Sequence, residues 1–324
     1  MMARCQTLAV MLAIAVLSPP VAMGSADTWR VQQDEAWEPV PAKDQDTYLL
    51  AVARTEQLVS TGQSKALAAE WNLLKPKFAE IEESDLDTFI KAELYFCQDK
   101  FSKAATTYSK FLDTDYEDSA LYQAALERQF HIASAFLGGR KVRVLGVLDW
   151  SGYATGIRMM EKISERAEGR PIGTQATVAA ARHYEQRGKF PEAYLKWAEV
   201  SWQQQYGELA REALLAMARC KHATYRGPKH NAAHLRSAKT YYEAFQARYP
   251  EEAAKLNIDD TLEEIDEQMA YKQLTVGQYY QRASKTQAAN LYYDMVIRNW
   301  SETKAAEMAR EMLTAGVQSE PKEK

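Results

Sequence analysis

The residues able to do chemistry are few in this sequence, and their spacing commits them to little. His230 and His234 stand four apart, the spacing that puts two imidazoles on one helical face toward a metal. The residues between them are Asn231, Ala232 and Ala233, so the glutamate that a metalloprotease uses as base is missing. His131 and His222 add no third-ligand spacing, and exposed helix histidines are the expectation. Cys97 and Cys220 lie inside helical patterns with no histidine paired to either, so they read as small buried apolar residues. No Gly-rich phosphate loop follows a strand, and no G-x-S-x-G occurs. The acidic run at 259–267 (DDTLEEIDE) lacks the alternating ligands and central glycine of a calcium loop. It suits a helix N-terminus, where carboxylates meet the positive end of the dipole. The expectation is a protein that is not an enzyme, with no catalytic residue, no cofactor and no metal.

The elements that would position any binding group are helical and repeated. Residues 268–313 read as one helical hairpin and the start of another, and 175–217 carry the same pattern. Aligned without gaps, Tyr184 falls on Tyr279, Arg187 on Arg282, Ala193 on Ala288 and Trp197 on Tyr292. A third copy holds Tyr95, Phe101, Ala104 and Tyr108. A small residue followed four later by an aromatic suits a close helix crossing: the small side chain lets backbones approach, and the ring fills the space one turn on. Leu67 with Trp71, Gly156 with Met160, and Ala238 with Tyr242 occupy the same slots. Such repetition predicts an all-α fold, a right-handed solenoid of about five to six tetratricopeptide-like hairpins over 46–315, forming one continuous body.

Read in order, 25–45 is a polar lead-in with Trp29 and Trp37, expected to be extended and to pack its tryptophans on the first repeat. Helices are expected at 46–59 and around Trp71, at 85–113 as a pair with Ser84 as N-cap, and at 118–137. The stretch 138–152 (GGRKVRVLGVLDWSG) interrupts the period. It reads as a loop or short helix folded back on the repeats, or as a basic, apolar segment that touches a partner or a membrane surface. Regular structure resumes at Tyr153 and ends a pair at Arg170-Pro171; helices follow at 174–187, from Pro191, from Tyr206, and up to Tyr249-Pro250. Residues 251–260 read as an acidic, irregular connection, and 316–324 as a disordered tail.

At 46% apolar and 26% charged, with net charge −4, the 324 residues have the composition of a globular protein. Opposite charges are interspersed along the helices, and nothing in the sequence suggests the basic face of a nucleic-acid binder. Arg4, the apolar run 8–16, Pro19, Pro20 and the small residues around Met23 read as a secretory signal peptide over 1–24, cut after Gly24.

The phrases HYEQRGKFPEAYLKWAEV (183–200) and QYYQRASKTQAANLYYDMVIRNW (278–300) resemble the repeats of the BamD family, also called ComL or YfiO, of outer-membrane protein assembly factors. The resemblance implies a periplasmic scaffold at the inner face of the outer membrane, working with the barrel-forming assembly protein to insert unfolded β-barrel polypeptides. Family members carry a lipobox cysteine; here Cys5 precedes the apolar run and cannot serve. A soluble periplasmic repeat adaptor of a cell-envelope or division complex is the alternative. In such repeats the first helix of each pair lines the concave face. Counting from the slots puts Phe89, Glu93 and Phe96, then Arg182 and Glu185, then Gln273 and Tyr280 on that face, as candidate partner-binding residues. The resemblance assigns substrate polypeptide to the N-terminal groove and the assembly partner to the C-terminal repeats.

Overall fold

Runs of small and aromatic residues at helical spacing fold here into antiparallel helical hairpins. The computed structural model describes residues 29–31, 37–39, 57–58, 61, 63–76, 85–113, 120–144 and 148–319. The expectations for 1–24, for the helix at 46–56 and for Ser84 lie outside the described residues; Gln57 and Leu58 are helical. The chain forms two compact units, residues 1–153 and 154–324.

The first unit opens with β1 (Trp29–Val31), paired antiparallel with β2 (Trp37–Pro39). Helices α1 (Ser64–Leu74), α2 (Asp85–Cys97), α3 (Phe101–Leu112) and α4 (Ala120–Leu137) follow, each packed on the next. The unit ends in β3 (Lys141–Val144) and β4 (Leu148–Ser151), an antiparallel pair in which Lys141 faces Ser151 and Val144 faces Leu148. The interruption is therefore a β-hairpin, not a loop or short helix. The two strands pair the backbone groups that face each other.

The second unit holds α5 (Tyr153–Arg166), α6 (Pro171–Gln186), α7 (Phe190–Gln203), α8 (Gly207–Ala223), α9 (Ala233–Arg248), α10 (Pro250–Lys255), α11 (Ile258–Arg282), α12 (Thr286–Asn299) and α13 (Lys304–Ser319). From α6 onward consecutive helices pack on one another, as in a solenoid. Three boundaries differ from expectation. Pro171 starts α6 instead of ending a pair, because its fixed φ suits a first helical turn. Residues 250–255 and 258 onward are helical rather than irregular, with Asp259 and Asp260 in the first turn of α11. Helix α13 runs past Gly316 to Ser319, so only 320–324 of the expected tail lie beyond it, outside the described residues.

One turn recurs at α2–α3, α6–α7 and α11–α12. Asp99, Gly188 and Ser284 adopt positive φ of 57°, 68° and 55°. The following amides, of Lys100, Lys189 and Lys285, donate back to the carbonyls of Tyr95, Tyr184 and Tyr280, each at 2.9 Å. This is the Schellman closure of a helix C-terminus. Four residues after each lysine comes the small residue (Ala104, Ala193, Ala289), and four later the aromatic (Tyr108, Trp197, Tyr293), all buried. On the first helix the facing position is also small: Ala92, Ala181, Gly277. A Cβ on Gly277 would lie 2.5 Å from the Tyr293 ring.

The last hairpin is thus one residue out of the expected register. Ala288 and Tyr292 are only half-buried, while Ala289 and Tyr293 fill the crossing. The doublets Tyr279-Tyr280, Ala288-Ala289 and Tyr292-Tyr293 make both registers read alike, and matching Arg187 to Arg282 selects the wrong one. Matching the turn lysines, Lys189 to Lys285, selects the right one.

Candidate partner-binding site

Six and three residues before the turn residue, each first helix carries the groups that reach its neighbours. In α2 these are Glu93 and Phe96. Glu93, 1% exposed, accepts a hydrogen bond from the Tyr108 hydroxyl of α3 at 2.6 Å, and Arg128 of α4 donates to it from Nε and Nη2 at 2.9 and 3.1 Å. Burial, reinforced by the Glu93 charge, pushes the Tyr108 hydroxyl well above its ordinary pKa. Phe96 stacks on Phe101 at 5.4 Å and lies under the Arg128 guanidinium at 4.5 Å. Phe89 is buried edge-on against Tyr108 and Phe111. Phe89 and Glu93 therefore belong to the core and not to an open face. Burying the ring is favourable, and the three hydrogen bonds to Glu93 offset the desolvation of its carboxylate.

In α6 the same two positions are Arg182 and Glu185. Arg182 forms a bidentate pair with Glu212 of α8, at 2.9 and 2.7 Å. Glu185 accepts from Trp197 Nε1 at 3.1 Å and from Arg219 Nε of α8 at 3.0 Å. Glu93 and Arg128 are 35 residues apart, and Glu185 and Arg219 are 34 apart. One repeat period separates the partners, so each clasp joins a first helix to the next first helix. The series continues where His222 of α8 meets Gln268 of α11 at 3.2 Å.

In α11 the equivalent positions are Gln278 and Gln281, not Gln273 and Tyr280. Gln281 accepts from the Tyr293 hydroxyl at 2.8 Å, as Glu185 accepts from Trp197. Tyr280 stacks on Tyr292 of α12 at 5.5 Å, and Gln273 is half-buried. The arrangement in the second unit is a polar ladder across α6, α8 and α11 whose rim stays wet: Glu185 is 18% and Arg219 46% exposed. It can exchange internal ion pairs for charge-assisted bonds to a peptide.

A further feature has no counterpart in the spacing arguments. A cleft of about 260 Å³ is lined by Ser201, Gln204, Tyr206, Leu214 and Arg248, between the α7–α8 turn and the end of α9. Tyr206 is 80% and the neighbouring Trp202 86% exposed, and the Arg248 guanidinium lies over the Tyr206 ring while donating to the Gln205 carbonyl. Two exposed rings beside a cleft form the kind of anchor that interfaces use. Trp202 falls off the helical core period, and only that mismatch marks it in the sequence.

His230 lies in the α8–α9 turn while His234 is in the first turn of α9, so the pair does not share a helical face. Among the described residues no group of three or more His, Cys, Asp or Glu is placed to hold a metal. Burial pushes the Cys220 thiol up to about 12, so it carries no thiolate near neutral pH. No helix of the described residues is long and apolar enough to cross a membrane.

Residues 201–319, from the last turn of α7 to the end of α13, match the family model YfiO, described as outer membrane lipoprotein. No curated protein matches the chain. Solved structures that match include the C-terminal part of a TPR repeat-containing protein from Cytophaga hutchinsonii, at 16% identity over 79% of this chain and 98% of that one, with a TM-score of 0.30. The apo form of RapI matches at 11% identity over 83% and 100%, with a TM-score of 0.35. The human IFIT1 dimer with m7Gppp-AAAA matches at 13% identity over 80% and 70%, with a TM-score of 0.24.

Proposed function

We propose that this chain is a non-enzymatic repeat scaffold of the outer-membrane protein assembly machinery, exported by residues 1–24 and working at the inner face of the outer membrane. The match of residues 201–319 to the outer-membrane lipoprotein family carries this reading. Its partners are the barrel-forming assembly protein and unfolded outer-membrane polypeptides. The binding face of the second unit is the polar ladder with Arg182 and Glu185 on α6, continued on α11 by Gln278 and Gln281 rather than by Gln273 and Tyr280; in the first unit the half-buried Phe96 is a separate candidate contact, and the buried Phe89 and Glu93 are not. Crosslinking a tagged chain in envelope fractions, followed by capture, is the test. Recovery of the barrel assembly protein, with fewer folded barrel proteins when the chain is depleted, is expected. Turnover of an envelope substrate without any stable protein partner overturns the reading.

A second reading, a soluble periplasmic adaptor of a cell-envelope or division complex, draws on the place of Cys5, ahead of the apolar run. Capture of division or cell-wall proteins, with barrel proteins at normal levels, selects it. Intact mass separates the two further: a mature chain beginning at Ser25 without a diacylglycerol fits both readings, whereas an acylated chain removes the support for the second.

A further inference from the structure

Along the helices of the second unit opposite charges alternate, but its turns sort them. The turns from first to second helices carry Arg187 and Lys189 at α6–α7, Arg226, Lys229 and Arg236 around α8–α9, and Arg282 and Lys285 at α11–α12, all exposed. Residues 183–192, 224–236 and 279–290 hold only two carboxylates. One of them, Glu185, is already bonded by Trp197 and Arg219. These turns emerge at one edge. The Glu185–Arg219 pair sets the end of α6 beside the end of α8, and Lys272 of α11 donates to the carbonyls of Pro228 and His230 in the α8–α9 turn. The opposite turns, such as 248–260, mix Arg248 and Lys255 with Glu251, Glu252, Asp259 and Asp260.

Helix stability accounts for only part of the basic edge: Arg187 caps the end of α6 and Arg282 ends α11, where a cation suits the dipole. Lys189 and Lys285 are the N-cap residues of α7 and α12, and Arg236 lies in the first turn of α9. A cation there opposes the helix dipole. No ion pair from Lys189, Arg226, Lys229, Arg236, Arg282 or Lys285 to a carboxylate occurs among the described residues. Lys189 instead lies over the Tyr184 ring at 5.9 Å. The cations are spread over three successive hairpins whose axes pack ~10 Å apart. They do not converge on a pocket. The exposed ring of Tyr279 lies in the last turn of α11, next to Arg282.

We propose that this edge of the second unit docks on an anionic phospholipid bilayer. A dispersed row of cations fits a planar array of phosphates better than it fits one compact acidic peptide, and an amphipathic tyrosine suits the headgroup level. The assignment stands apart from the partner reading above, because it needs no protein partner.

The test is co-sedimentation of the mature chain with vesicles of phosphatidylcholine alone and of phosphatidylcholine with one-third phosphatidylglycerol. Binding to the anionic vesicles only, falling steeply with salt, is expected. Lys229→Gln and Lys285→Gln, on different hairpins, should each weaken binding about 5-fold. The quadruple variant R226Q/K229Q/R282Q/K285Q should weaken it more than about 100-fold. Lys255→Gln on the opposite edge should leave it unchanged. Equal binding to both vesicle types, no binding to either, or wild-type binding by the single variants overturns the proposal. So does loss in the variants of capture of an acidic protein without any vesicle binding by the parent chain. Because the single variants change exposed side chains, they keep the test decisive even where the quadruple variant fails to fold.

Discussion

The α2–α3 hairpin of the first unit and the α6–α7 hairpin of the second share a turn, a small residue, an aromatic and a clasp to the next first helix. They differ in where the clasping carboxylate lies. Glu93 sits one helical turn deeper than Glu185, sealed from water by Phe89, Phe96 and Tyr108, whereas Glu185 stays at a wet rim. The same repeat geometry therefore makes a buried ion pair in one place and an exposed ladder in the other. A buried pair is unforgiving: removing one partner strands the other charge. An exposed pair contributes little and can be remade with a different partner. The first unit's clasp is thus suited to holding shape, and the second unit's to binding.

The largest expected effect breaks that contrast directly. Glu93→Ala should lower stability by about 3–5 kcal/mol, since Arg128 and the Tyr108 hydroxyl lose their buried acceptor. Glu185→Ala should cost less, about 1–2 kcal/mol, since Arg219 stays at the wet rim and only the buried Trp197 Nε1 loses its acceptor. Urea unfolding of both variants checks this, and equal midpoints would show that depth does not matter. Next come the crossings. Ala193→Leu and Ala289→Leu should each cost about 1–3 kcal/mol by overpacking. Ala288→Leu, beside the crossing, should stay within about 0.5 kcal/mol. If Ala288→Leu is the costly one, the register of the last hairpin is wrong.

The turns offer a smaller and opposite effect. Ser284 holds a left-handed conformation that Gly188 adopts freely. Ser284→Gly should therefore stabilise by about 1 kcal/mol, and Gly188→Ala should destabilise by a similar amount, read as shifts in melting temperature.

The last prediction concerns a slope rather than a midpoint. Burial pushes the Asp87 carboxyl up, but hydrogen bonds from Lys75, Lys91 and Trp71 outweigh it and hold its pKa below the ordinary carboxylate range. Its folded value lies below the unfolded one. Its contribution is then fully present above the unfolded pKa and is lost as pH falls through the folded value. Stability of wild type against Asp87→Asn, followed from neutral pH downward, should show a shallower acid loss in the variant. Parallel curves would remove Asp87 from the account.

The sequence alone determined the helices, their pairing and most slot positions, because helical spacing and Schellman turns are local: a few neighbouring residues decide them. Leu67 with Trp71, Ala104 with Tyr108 and Ala193 with Trp197 needed nothing more. The β3–β4 hairpin was also written locally, in the period-two alternation of Lys141, Val142, Arg143 and Val144, but the surrounding helical repeats masked it. Three things were decided only by tertiary structure. Doubled residues left the α12 register open until Gly277 met Tyr293. Glu93 and Glu185 stand six and three residues before their turns, but that the first is sealed and the second wet follows only from the packing of Phe89, Tyr108 and Arg128 around Glu93. Charges that alternate along each helix become a basic edge only when successive first helices stack side by side, since stacking aligns residues a repeat period apart that no local pattern relates.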